Sequence, residues 1–197
     1  VKIDAVSPTQ TSADTPYNKT YIMGQNMDFT ANFDENVIVE TSLGIPYMNI
    51  MVGTSTVKAN YVSGSGSKKI VFRYTVANND YDADGIGANL NIEMNGATFK
   101  DIAGNNALFS PWPNMFFPLS TAKVDGVVPT ITEAIVPSNG MYVVGQSLTF
   151  TIKFSKVVNV VGGTPSLSLK LGDKNVNATY VGGTGTTSLE FKYTVVN

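Results

Sequence analysis

The sequence predicts an all-β protein built of two antiparallel β-sandwiches in tandem, the second one incomplete. The first observation is strict alternation. In Tyr61–Val76, YVSGSGSKKIVFRYTV, the side chains of Ile70, Phe72, Tyr74 and Val76 fall on one side and those of Val71, Arg73 and Thr75 on the other. Successive strand residues face opposite sides of a sheet, so a half-buried antiparallel strand needs this period of two. The second observation is repetition. The stretch returns at Tyr180–Val195 as YVGGTGTTSLEFKYTV, with Leu189, Phe191, Tyr193 and Val195 in the inward places. The third is that no window combines a 3.6-residue apolar period with helix caps.

In chain order, residues 1–6 read as an edge strand stopped by Ser7-Pro8, and Thr9 to Lys19 as a polar loop. Met27, Phe29, Ala31 and Phe33 form an inward row, repeated by Leu148, Phe150, Ile152 and Phe154. Val37 and Val39 resume it after a break at Asp34-Glu35. Met48, Ile50 and Val52 alternate, as do Leu167, Leu169 and Leu171. Turns at Gly53-Thr54 and Gly172-Asp173 lead into strands carrying Val57, Ala59 and Tyr61, or Val176, Ala178 and Tyr180. Leu90, Ile92 and Met94 precede Asn95-Gly96, a dipeptide that signals a hairpin. Lys123 to Pro129 is the joint, short and stiffened by proline. The predicted domains are 1–124 and 125–197, the second without counterparts to residues 79–120. A sandwich open there would expose sheet edges, so the expectation is that the chain is an internal piece of something longer or that another chain fills the gap.

Composition narrows the function. Hydrophobic residues make up 43% of the 197, ample for packed cores, while charged residues make up 14%, against the roughly 25% usual in soluble domains. The net charge is −2, and the basic residues gather no further than the pair Lys68-Lys69, so nothing favours nucleic acid or an anionic membrane. No apolar run approaches the ~20 residues that span a bilayer. There is no cysteine and no histidine. That removes disulfides, Ser-His and Cys-His nucleophiles and the usual zinc sites. Asp34 and Glu35 are adjacent, hence on opposite faces of a strand, and make a poor acid pair for glycoside hydrolysis. Gly64-Ser65-Gly66-Ser67 lacks the Lys-Ser/Thr and helix of a phosphate loop. The expectation is a protein that is not an enzyme.

Two clusters stand out. Asp80, Asp82 and Asp84 followed by Gly85 open like a calcium loop, D-x-D-x-D-G, in which alternate oxygens wrap an ion. The closing carboxylate is missing, position twelve being Asn91, so a plain Asx-rich turn competes with calcium. Asp125, at the joint, is a further candidate ligand if it meets Asp34, Glu35 or Asp101; the alternative for Asp101 is that it caps its own turn. The other cluster is FSPWPNMFFPL at 109–119. Trp112, Phe116 and Phe117 there offer an aromatic surface for a glycan or protein partner, unless these rings finish the core while the prolines guard an edge.

The set Y-x-x-G-Q-x-x-x-F-T (Tyr21–Thr30, Tyr142–Thr151), A-x-Y-V-x-G-x-G, F-x-Y-T-V, N-D-x-D-A-D-G-I, Met94–Ala107 and Val124–Ile131 resembles the immunoglobulin-like repeats of very large bacterial surface proteins. The likeness covers one whole unit and about two-thirds of the next. It implies a structural or adhesive module of a secreted cell-surface protein or filament, with neighbouring repeats as partners and calcium stiffening at Asp80, Asp82, Asp84 and Asp125. The Pro/aromatic segment and the longer opening loop depart from that pattern. They leave two alternatives: a glycan- or protein-binding module attached to a secreted enzyme, and a self-associating fibre subunit completed by a neighbour's strand.

Overall fold

The computed structural model describes residues 3–110 and 112–197. Among them are strands and turns and no helix, so the protein is all-β, with curled antiparallel sheets of the kind that make a sandwich. The chain divides into two compact units, residues 1–127 and 128–197.

Unit 1 contains β1 (Gln10–Asp14), β2 (Lys19–Ile22), β3 (Asn26–Glu40), β4 (Tyr47–Val52), β5 (Ser55–Ser63), β6 (Ser67–Thr75), β7 (Tyr81–Asp82), β8 (Gly87–Glu93), β9 (Thr98–Lys100), β10 (Phe117–Pro118) and β11 (Ala122–Asp125). The main sheet runs β1-β3-β6-β5-β4-β8-β10, with β9 joined to the far end of β3. A small sheet, β2-β11-β7, forms the second layer. Between them lies the core the alternation predicts: Met27, Phe29, Ala31, Phe33, Met48, Ile50, Ile70 and Phe72 are buried. Ile86, Leu90, Phe99, Ala107 and Val124, all from the chain after Ala77, complete it.

Four expectations are corrected. Residues 3–8 form no strand (1 and 2 lie outside the described residues), and the first strand falls inside the supposed loop, at Gln10–Asp14. Its polar outward residues conceal it: Thr11, Ser12 and Asp14 face solvent, and only Gln10 is buried. Asp34-Glu35 does not break β3, which runs through; the irregularity is a register shift against β6 between Asn32 and Val37. Asn95-Gly96 does turn, with positive φ at both residues, yet the strands it joins pair elsewhere, β8 with β4 and β9 with β3. The sheet thereby curls over its own core. Finally, the boundary falls at 127, because Ala122–Asp125 is a strand of unit 1 and Gly126 N–H donates to the Asp80 carbonyl at 2.7 Å.

Unit 2 contains β12 (Ile131–Ile135), β13 (Ser147–Val158), β14 (Ser166–Leu171), β15 (Lys174–Gly182) and β16 (Thr186–Thr194), in one sheet ordered β12-β13-β16-β15-β14. Its ladders reproduce those of unit 1. Gln10 pairs with Phe33, and Ile131 with Phe154, 121 residues on; both ladders carry a register shift at the second step. Phe29 pairs with Phe72, and Phe150 with Phe191, 121 and 119 residues on. Met48–Ala59 and Leu167–Ala178 agree in the same way. Side chains follow. Tyr61 meets Phe72 edge-on at 6.3 Å between centroids, and Tyr180 meets Phe191 at 6.0 Å. The Tyr61 hydroxyl accepts from Ser65 N–H at 3.2 Å, and that of Tyr180 from Thr184 N–H at 2.9 Å. Gly64 and Gly183 hold the same left-handed turn, φ 109° and 107°; a Cβ on either would come within 2.0 Å of a backbone carbonyl, so only glycine fits.

The units differ in cover. Phe29 is 1% exposed, while Phe150 is half-buried, and Ala178, Leu189 and Phe191 are the buried hydrophobic residues of unit 2.

Candidate metal centre and aromatic surface

Asp80, Asp82 and Asp84 surround the short strand β7 and do not converge. Asp80 Oδ2 accepts from Ala77 N–H at 2.7 Å and from the Tyr74 hydroxyl. Asp82, buried, accepts from Gly53 N–H at 2.7 Å with one oxygen and from Gly85 N–H at 2.9 Å with the other. Asp84 is exposed. The first two carboxylates thus hold backbone N–H groups of the surrounding turns, a structural use of Asp side chains that needs no ion. The glycine has a steric reason besides: a Cβ on Gly85, at φ 105°, would come within 2.5 Å of Leu119 O and Ser120 Cα. Tyr74 responds to its partner. Burial, then the hydrogen bond to Asp80 and the nearby negative charge, push its hydroxyl up to about 12.

Among the described residues, the acidic group whose oxygens do converge is Asp4, Glu35 and Asp101, with ligand atoms all within 4.8 Å of one another. Asp4 is exposed, Glu35 half-buried and Asp101 buried. They line one cleft with Ile38, Lys68 and Ile102. Asp101 does cap its own turn: Asn105 donates its backbone N–H to Oδ1 at 2.8 Å and its side-chain Nδ2 to Oδ2 at 2.7 Å. Burial alone would raise this carboxyl, but the bonds from Asn105, Gly104 and Ala103 outweigh it and hold the group below its ordinary value. Asn105 Nδ2 also reaches the carbonyls of Asp4 at 3.3 Å and Val6 at 3.0 Å, strapping the opening segment to this turn. All-oxygen donors of this kind suit hard cations such as calcium.

Of the expected partners of Asp125, then, Glu35 and Asp101 do meet a third carboxylate, and it is Asp4. A signal for this lay in the sequence. Lys2-Ile3-Asp4-Ala5-Val6-Ser7-Pro8-Thr9 returns as Lys123-Val124-Asp125-Gly126-Val127-Val128-Pro129-Thr130, at the spacing of 121, so Asp4 is the earlier counterpart of Asp125. Asp125 itself lies in β11, half-buried, with Oδ1 accepting from Val127 N–H at 3.3 Å. Asp34 turns away, accepting from Thr9 N–H at 2.6 Å.

The Pro/aromatic segment does two jobs. Trp112 packs edge-on against Phe117 at 6.3 Å, and both, with Phe109 and Leu119, lean on the core. Phe109 bridges Phe33 at 6.1 Å and Phe99 at 5.5 Å. Phe117-Pro118 pairs with Gly87-Ala88 as the edge of the main sheet, and a proline there withholds a donor from any further strand. Phe116 is half-buried over Gly87. Trp112 Nε1, buried, has no hydrogen-bond partner among the described residues. Pro111 lies outside them.

No protein-family model matches the chain, and no curated protein is found to be related to it.

Proposed function

We propose that the chain is a non-catalytic structural module of a secreted bacterial cell-surface protein or extracellular filament, in which immunoglobulin-like sandwiches repeat in tandem. The observation that carries this reading is the agreement of ladders between the units, pair by pair, including the register shift of the first strand. Two stretches that share register, turn glycines and buried rows are copies of one building block, and tandem copies with a short joint give reach. Long antiparallel ladders pulled along their strands resist force through many hydrogen bonds at once.

The reading includes a stiffening cation, with Asp4, Glu35 and Asp101 as its ligands in unit 1. Calcium should then raise the melting temperature of the intact chain and EDTA reverse it. Glu35→Gln with Asp101→Asn should abolish the difference.

The structural role is tested by stretching single molecules of the full chain. Unit 1 should open in one discrete event, releasing roughly 40 nm for its ~120 residues at ~3.5 Å each. Extension without a force peak of that length would overturn the reading. A glycan-binding role has one observation in its favour, the partly exposed Trp112, Phe116 and Phe117 gathered at the edge strand β10. Loss of glycan-array binding on Trp112→Phe, with folding retained, would support it.

A further inference from the structure

We propose that unit 1 carries a carbohydrate-binding groove at the outward face of β3, where Tyr17 gives a sugar ring a surface to stack on and Asn26 and Asp28 take its hydroxyl groups. The inference goes beyond the structural role and uses none of the residues of the Trp112 surface.

β1 ends with Asp14 opposite Thr30. The chain runs on through the buried Pro16, and Tyr17, Asn18, Lys19 and Tyr21 then line one groove with Asn26 and Asp28, about 590 Å³ in volume. Small-molecule sites ordinarily span about 300–1,000 Å³. Every lining side chain but Pro16 bears a polar group. Tyr17 is 70% exposed, and Lys19 Nζ stands 4.8 Å from the centre of the Tyr21 ring. Asn26 and Asp28 are two apart on β3, so their side chains leave the same face. Each is held from β6. Arg73 grips Asp28 with Nε at 2.6 Å and Nη2 at 2.7 Å, and the Thr75 hydroxyl donates to Asn26 Oδ1 at 2.8 Å. That leaves the side-chain N–H groups of Asn26 and the remaining lone pairs of Asp28 to a ligand, in positions already fixed. An exposed ring beside such donors and acceptors suits a pyranose, whose C–H face stacks on the ring while its hydroxyls both donate and accept. The Asp28 carboxylate repels a phosphate or sulfate, and the polar lining gives an apolar peptide side chain no seat.

Unit 2 is the internal comparison. Its ladders set Thr130–Tyr142 on Thr9–Tyr21 residue for residue. The scaffold is kept. Pro137 stands for Pro16 and Tyr142 for Tyr21, and each tyrosine hydroxyl bonds the backbone of the residue four before it, Ser138 or Tyr17. The side chains of the groove are not kept. Where unit 1 has Tyr17, Lys19 and Asn26, unit 2 has Ser138, Gly140 and Ser147. Where Asp28 faces Arg73, Thr149 faces Lys192. Since unit 2 builds the same turn without them, the fold requires neither the ring nor the carboxylate. A ligand accounts for both.

The experiment titrates the isotope-labelled full chain with the methyl glycosides of glucose, galactose, mannose and N-acetylglucosamine and follows backbone amide shifts. At least one sugar should move Tyr17 to Asp28 along a saturating curve, with Ser138 to Thr149 unmoved. Tyr17→Ser and Asp28→Thr, each taking the residue unit 2 has at that place, should raise the dissociation constant at least about tenfold. The unfolding midpoint read from Trp112 fluorescence should hold in both, because an exposed pair such as Asp28–Arg73 adds little stability. A groove unmoved by all four sugars would overturn the proposal, as would shifts centred on Trp112, Phe116 and Phe117. Equal shifts in unit 2, or undiminished affinity in both variants, would overturn it too, because the shared turn rather than these side chains would then be what the sugar touches.

Discussion

Gln10 is a buried side chain with an unmet hydrogen bond, and replacing it should stabilise the protein. It opens β1 at 3% exposure, and its Nε2 has no partner among the described residues. A buried amide donor without an acceptor costs about 1–3 kcal/mol. The backbone bonds at this residue do not involve the side chain: N–H donates to Leu108 O at 2.8 Å, and O accepts from Ser110 Oγ at 2.6 Å. Gln10→Met keeps the length of the side chain and removes the amide, so unit 1 should gain about 1–2 kcal/mol. For a unit of this size that is about 3–6 °C in melting temperature per kcal/mol. Unit 2 already carries an apolar residue at this register, Ile131. The assay is urea unfolding followed by fluorescence of Trp112, the single tryptophan, which reports on unit 1 alone. Gln10→Glu, which buries a carboxylate in the same place, should destabilise strongly. A loss of 1 kcal/mol or more in Gln10→Met would refute the reasoning, because it would mean the amide is satisfied in solution.

Three further outcomes follow from the same structure. Tyr74, raised to about 12, binds its proton more tightly folded than unfolded, so the stability it contributes is complete below about pH 10 and is lost as pH rises toward 12; Tyr74→Phe should flatten that part of a urea-midpoint profile. Asp101 is shifted the other way. Its contribution is present above the ordinary carboxyl value of 3.8 and disappears as pH falls through the lower folded value, and Asn105→Ala should lessen that acid sensitivity while lowering stability at neutral pH. Gly64→Ala and Gly183→Ala should each cost more than the about 1–3 kcal/mol of the left-handed backbone alone, because the added Cβ also meets a backbone carbonyl; the first should show in the fluorescence transition of unit 1 and the second in a circular-dichroism transition of unit 2.

How much of this was legible in the sequence depended on whether a residue's environment is set by its neighbours along the chain. The inward rows from Met27 to Phe33 and from Ile70 to Val76 were readable, because one buried face imposes the period of two on the strand itself. β1 was missed because its outward residues are polar and its inward one is a glutamine. Asn95-Gly96 was recognised as a turn and misread as a hairpin; the dipeptide determines the local φ values, while the partners of β8 and β9 are set by distant strands. The acidic cluster was half seen. Glu35 and Asp101 were named, but Asp4 joins them through the Asn105 strap, a contact across about a hundred residues. In D-x-D-x-D-G the spacing suits an ion and a turn equally, and the Gly53 and Ala77 N–H groups that hold Asp82 and Asp80 come from outside the motif.

Proton–proton contacts between aromatic rings test most directly whether the two units share one framework. Selective labelling of phenylalanine and tyrosine should show Phe29–Phe72 and Tyr61–Phe72 contacts, and a second set, Phe150–Phe191 and Tyr180–Phe191, with slower ring flipping in the first, more deeply buried set. A unit 2 in which Phe191 meets neither Phe150 nor Tyr180 would contradict the shared register on which the account stands.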